Sequence, residues 1–397
     1  KKNWFNQVDE ATRCREVCAL VEAGPLSEPQ LQQLLTPDSV LLRAVLESNA
    51  PRTAEVPESL IIAFQSEYAL GGLIRTCAWE EMRSTESPNT LLRMNTRSIR
   101  VLSTLARVAG REFLRSVLQD VLPAVQRSPH VYSPPTSNRP KDQQQYERAT
   151  AMAVQETLNS TAQLLPTLPA ALRHVFYELR AAVAQWFPSH EARALRAFFF
   201  VRFLSPALIS PFEYGLLAQQ PDKPVETALI NISKLLTALS NGTTVDAKLH
   251  PQLARFNPLL AQNQAVVTWL LDQVSARPAG GAELNSEAFA ATLTRPPLQV
   301  LGEFVTANAD DLKHSLAAYA ASPVVALVPE AVQGFLRRAL IRATLLALLP
   351  ARDSNGPQLQ RVSKKRHSIM DRLRGRPRQS FKIKPSRQSV SDMPDRS

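Results

Sequence analysis

Phe198-Phe199-Phe200-Val201-Arg202-Phe203-Leu204-Ser205-Pro206-Ala207-Leu208-Ile209-Ser210-Pro211 is the stretch on which the fold turns. It is too apolar for a surface helix and reads as a central one. Arg202 is its single charge. A guanidinium buried in apolar surroundings is costly unless hydrogen-bonded, so Arg202 is expected to bind backbone carbonyls or a carboxylate. That tie either stays internal or holds a second loop in shape. Pro206 lacks an N–H, so the carbonyl of Arg202 loses its helical partner and a kink is expected there.

Outward from this stretch, apolar residues recur at helical spacing. Ile99, Leu102, Leu105, Val108 and Ala109 form one stripe, and Phe113, Val117, Val121, Leu122 and Val125 a second, whose end Pro123 tightens or bends. Leu172, Val175, Phe176, Leu179 and Val183 form a third, and Leu229, Ile232, Leu235, Leu236 and Leu239 a fourth. Alternating strand patterns are rare, so the expected fold class is all-α. Pro-rich loops are expected at Arg127–Gln145 and Ala276–Pro297, and Pro169 is expected to open a helix.

Composition excludes several functions. Of 397 residues, 44 % are hydrophobic and 20 % charged, enough to bury a large core. Twelve glycines against 30 prolines weigh against a turn-rich β-sandwich and a glycine-rich nucleotide loop. Cys14, Cys18 and Cys77 form no C-x-x-C pair, and with six scattered histidines neither a disulfide framework nor a metal site is expected; a reduced, intracellular setting follows. There is no G-x-x-x-x-G-K-[ST], G-x-G-x-x-G, H-E-x-x-H or G-x-S-x-G motif, so no cofactor and no hydrolytic centre of its own is expected. The most apolar runs, Ala197–Ile209 and Ala339–Leu349, are too short to span a membrane. The N-terminus has neither a signal-peptide core nor an initiator Met, and the chain reads as a piece of a larger protein.

The net charge of +11 is concentrated. Residues 351–397 carry 13 of the 46 basic and 4 of the 35 acidic residues, leaving the body close to neutral. Such a distribution does not suit a protein that coats nucleic acid, and Phe381 alone offers no stacking platform in the tail.

A second stretch, Ser87-Pro88-Asn89-Thr90-Leu91-Leu92-Arg93-Met94-Asn95-Thr96, breaks one helix and starts the next. Asn95 or Thr96 is a candidate N-cap, which places Arg93 on or beside a short loop. A cation at a helix N-terminus opposes the local dipole; it is either simply solvated there or tolerated because its charge is used.

These residues carry a resemblance. Thr90–Thr96 looks like the finger loop of Ras GTPase-activating proteins, Thr-Leu-Phe-Arg-x-Asn-Ser, and Phe200–Pro211 looks like that family's signature, F-L-R-F-x-x-P-A-I-x-S-P. Leu168–Pro188 and Leu229–Asn241 are similar to the helices on either side of the signature, and Ser210–Leu217 (SPFEYGLL) is nearest the neurofibromin branch. The resemblance is specific from about Leu70 to Asn241. It implies a helical central core (67–248), accessory helices from both flanks (1–66 and 249–350) and a basic, Ser-rich, disordered tail (351–397).

The resemblance also implies roles. Arg93 would be the arginine finger and Arg202 the arginine that holds its loop through backbone carbonyls. Leu92, Asn95, Thr96, Lys234 and Asn241 would serve GTPase binding, Lys234 against acidic residues of the GTPase and Asn95 and Thr96 as shapers of the loop. This chain departs from the pattern at Leu92 (Phe), Val201 (Leu) and Thr237 (Gln); the last removes a longer hydrogen-bonding side chain. The implied function is activation of GTP hydrolysis in a GTP-bound Ras-type GTPase, with GTP and magnesium belonging to that partner. The chain would be a GTPase activator, not an enzyme in its own right. The alternative is a non-catalytic, IQGAP-like scaffold of the same fold, which would lack the finger arginine. The tail, with Lys364, Lys365, Arg366 and later arginines, would attract anionic lipid at about 1 kcal/mol per residue, and Ser368 and Ser380 offer phosphorylation sites that would cancel charge. The equal alternative is a solvated end. The expected location is cytoplasmic, at the inner face of the plasma membrane.

Overall fold

The computed structural model describes residues 2–320 except 38, 49–54, 136–138, 243 and 283–292. Tail residues Lys364, Lys365, Arg366, Ser368 and Ser380 lie outside the described residues, as do the proposed boundary at 350 and the tail itself. Among the described residues every regular element is helical, and no helix is long and apolar enough to cross a membrane.

The helices run α1 (Lys2–Ala23), α2 (Glu28–Leu34), α3 (Val40–Glu47), α4 (Val56–Ala63), α5 (Glu67–Ser84), α6 (Arg97–Ala109), α7 (Arg111–Val117), α8 (Val121–Arg127), α9 (Pro140–Leu164), α10 (Ala170–Trp186) and α11 (Glu191–Arg196). After a π-helical segment at Ala197–Leu204 come α12 (Ser205–Ile209), α13 (Lys223–Asn241), α14 (Pro251–Ala254), α15 (Asn257–Gln262) and α16 (Gln264–Val274). Two helices, Pro297–Ala307 and Ala309–Ala320, close the described part.

The centre is the π segment. Phe198, Phe199, Phe200 and Phe203 are completely buried. Phe176 of α10 meets Phe198 edge-on at 5.6 Å, and Phe113 of α7 stacks on Phe203 at 6.3 Å. Burying each such side chain stabilises the fold by about 1.5–3 kcal/mol. Gly110, between α6 and α7, lies so close to Phe203 that a Cβ there would come within 2.5 Å of its ring. Around this centre α10 packs on α5 and α6, and α13 packs on α12 and the π segment. The terminal helices pair across the sequence, α1 with Ala309–Ala320 and α4 with Pro297–Ala307, while α16 packs on α9, α10 and α11.

Three expectations differ in detail. At Pro206 the chain widens before the proline: Ser205 donates its N–H to Phe200, five residues back, and Pro206 occupies the first turn of α12, where no N–H is needed. The second stripe is two helices, because Pro123 lies in the first turn of α8 and the chain breaks ahead of it, after Val117. The loop expected over Arg127–Gln145 is shorter, since Pro140 opens α9 and Pro129–Tyr132 is a 3₁₀ turn.

Candidate functional site

The loop between α5 and α6 is built from short-range rules. Helix α5 ends at Ser84, where the Thr85 hydroxyl folds back on the Glu81 carbonyl at 2.7 Å. Ser87 accepts from the Asn89 N–H, and Pro88–Thr90 forms one 3₁₀ turn. Thr96 is the N-cap of α6, accepting from the Ile99 N–H at 3.1 Å.

Between these anchors the chain turns sharply. Leu91 and Leu92 are both buried. Leu92 has φ +56°, a left-handed conformation that costs a non-glycine residue roughly 1–2 kcal/mol. The turn sends the Leu92 side chain inward and Arg93 outward, with the Arg93 N–H on the Thr90 carbonyl at 3.1 Å. Leu92 therefore does not present a surface to a partner: its side chain anchors the loop from within, which corrects its assignment as a GTPase-binding residue.

Arg202 offsets the strain. Its Nε donates to the Leu92 carbonyl at 3.0 Å and its Nη2 to the Met94 carbonyl at 2.8 Å, so the backbone is held on both sides of Arg93. Hydrogen bonds from a charged donor contribute about 1.5–3 kcal/mol each. Burial lowers the pKa of Arg202, and the carboxylate of Glu81 works against that shift; at an arginine the charge persists.

The finger candidate is exposed, and its Nη2 donates to Asn241 Oδ1 at 2.9 Å. Asn241 is the last residue of α13, stopped by Gly242 in the left-handed region at φ +65°. Lys234, also exposed, precedes Asn241 by seven residues, two turns back on the same face and about 10 Å along the axis. Arg93 and Asn241 are thus in contact, with Lys234 on the same helix face as Asn241. Asn95 is exposed and lines a small cleft of about 230 Å³ with Arg100, Arg107, Arg202 and Tyr214. Thr96 is turned inward, its hydroxyl used both as N-cap and as donor to Glu81 Oε2. Thr237, which replaces the family's glutamine, lies 3.3 Å from the Ser205 hydroxyl and ties α13 to α12.

Sequence reasoning missed two supports. Arg193 donates to Asn89 Oδ1 at 3.0 Å and tethers the 3₁₀ turn. Glu81 is fully buried under the loop, and burial pushes its carboxyl up to about 7, against the opposing pull of Thr96 and Arg202. A signal for Glu81 existed: Cys77, Ala78 and Glu81 share the buried stripe of α5 at i, i+1 and i+4.

Residues 126–241 match the family model described as GTPase-activator protein for Ras-like GTPase. The matched span holds Arg202, Lys234 and Asn241; the Arg93 loop precedes it. A GTPase-activating protein of Drosophila melanogaster is 24 % identical over 213 residues, covering 52 % of this chain and 18 % of its own length. The inhibitory regulator protein IRA2 of Saccharomyces cerevisiae is 27 % identical over 46 % of this chain and 6 % of its own length. The mouse RasGAP-activating-like protein 1 is 25 % identical over 63 % of this chain and 35 % of its own length. The chain thus spans about a third or less of the length of these relatives, and they do not single out the neurofibromin branch. Over the matched segment, and in its all-helical architecture, the chain is similar to the Ras GTPase-activating proteins.

Proposed function

We propose that this chain stimulates GTP hydrolysis by a GTP-bound Ras-type GTPase through Arg93, supplied in trans. The supporting observation is an exposed guanidinium at the apex of a loop whose carbonyls on both sides are gripped by Arg202. GTP hydrolysis passes through a transition state with dispersed negative charge, and a positioned cation at the phosphoryl oxygens lowers its energy. Arginine suits the task because its planar fork stays charged. The Ras–GAP pair is itself the reference case for the effect, at about 10³–10⁵ in rate, or roughly 4–7 kcal/mol. GTP and its magnesium would belong to the GTPase, and the chain would act as activator with no nucleotide site of its own. Lys234 and Asn241, on one face of α13, would meet the GTPase beside the finger. The basic tail would bring the protein to anionic lipid at the inner plasma membrane, where phosphorylation of Ser368 or Ser380 would weaken the attraction.

The test is single-turnover hydrolysis by a panel of GTP-loaded small GTPases with wild type and Arg93→Ala. Acceleration by wild type alone is expected. GTP-dependent binding without acceleration would replace this reading with that of a scaffold.

A further inference from the structure

We propose that Glu81 is a positioning residue for the arginine loop, the counter-charge that keeps Arg202 and Thr96 in the geometry that presents Arg93. The inference deepens the proposed function and rests on it for its kinetic readout.

Glu81 has no evident reason to be where it is as a matter of stability. It is completely buried, between Ala78 and Met82, which are equally buried. Its Oε2 accepts from the Thr96 hydroxyl, but its Oε1 is buried and meets no hydrogen-bond donor among the described residues. A buried carboxylate with half its acceptors idle is destabilising. Its neighbours give it a purpose. Thr96 sets the start of α6 and closes the loop on one side; Arg202 grips the carbonyls of Leu92 and Met94 and makes no salt bridge among the described residues. The attraction between Glu81 and Arg202 acts on both groups, favouring the charged form of each. The charged and titratable groups facing Glu81 are Arg202 from the π segment and, on its own helix, Cys77, whose thiol is pushed up first by burial and then by the charges of Glu80 and Glu81. Glu80, next to it, is engaged elsewhere, with Arg43 and Arg83.

Glu81→Gln keeps an acceptor for Thr96 and removes the charge. The expected result at pH 8 is a saturating single-turnover rate about tenfold lower, a half-saturating concentration changed less than twofold, and a Tm equal to or above that of wild type. Amide exchange at residues 92–96 of the free protein should quicken while the remaining helices stay protected. The wild-type rate above the Arg93→Ala baseline should rise between pH 6 and 8, and the variant's should not. An unchanged rate, a lower Tm with faster exchange throughout, or a flat wild-type profile would each overturn the proposal. If wild type accelerates no GTPase, the proposed function fails, and the exchange and Tm comparison alone decides the part played by Glu81.

Discussion

Glu80 and Glu81 are neighbours on α5, both buried, and they face opposite fates. Glu80 points into a junction between α3, α5 and the helix Ala309–Ala320. There Arg83 reaches it at 2.6 Å, Arg43 at 2.9 Å and the Tyr319 hydroxyl at 3.1 Å, while both guanidinium groups lie over the Tyr319 ring. Burial pushes its carboxyl up, but the charges of Arg83 and Arg43 outweigh that and hold it below the usual carboxylate range. Glu81 points the other way, under the loop, with one hydroxyl as partner, and is pushed up to about 7. A fully satisfied buried carboxylate serves as a structural tie between distant segments. An under-satisfied one marks a place where stability has been conceded to something else.

The largest effect should fall on rate alone. Arg93→Ala is expected to remove 10³-fold or more of the acceleration, some 4 kcal/mol, with no change in Tm, because the side chain is exposed; single-turnover assays beside thermal melts would check it. On the junction side, Glu80→Gln should remove the charge that Arg43 and Arg83 share, although Arg83 keeps Glu47 at 3.2 Å, and cost about 3–5 kcal/mol, read as a lower urea midpoint at pH 8.

The two glutamates should also respond to pH with opposite signs. The folded pKa of Glu81 is raised from 4.5 to about 7. Its protonated form is favoured in the folded state, so its contribution is fully present below about 4.5 and is lost as pH rises towards 7, a change of about 3 kcal/mol. Glu80 has a depressed folded pKa; its contribution is present above 4.5 and is lost as pH falls. Urea midpoints of wild type, Glu80→Gln and Glu81→Gln between pH 4 and 8 would separate them: each variant should lose the slope that its own residue supplies. The smallest effect belongs to Asn241→Ala, which releases the guanidinium of Arg93 from an exposed hydrogen bond of about 1 kcal/mol. A rate change within about fivefold and an unaltered Tm are expected in the same assays.

Much of this molecule was legible beforehand because it depends on local pattern. The stripes of α6, α10 and α13 follow from spacing, and an arginine in a run of phenylalanines announces that its guanidinium must find oxygen atoms. What escaped depends on contacts far apart in sequence or on backbone angles that residue type does not dictate. Tyr319 reaches Glu80 across 239 positions. Leu92 takes a left-handed angle that nothing in a leucine suggests, and so faces inward where the family resemblance implied a contact with the GTPase. Glu81 sat in plain view on an apolar stripe, but only the fold shows that its partner is the cap of the following helix.

The wide turn at Ala197–Leu204 carries a consequence of its own. A π-helical stretch stores residues beyond the α-helical count, and each residue of an α-helix advances the side-chain direction by about 100°. A change that drove Ala197–Leu204 into ordinary α-winding without shortening it would turn Arg202 relative to the helix ahead of it and swing it away from the Leu92 and Met94 carbonyls. The grip on the loop is thus a matter of winding as well as chemistry: the same side chains in a row wound at the ordinary α-helical pitch would aim the clamp at the wrong neighbour.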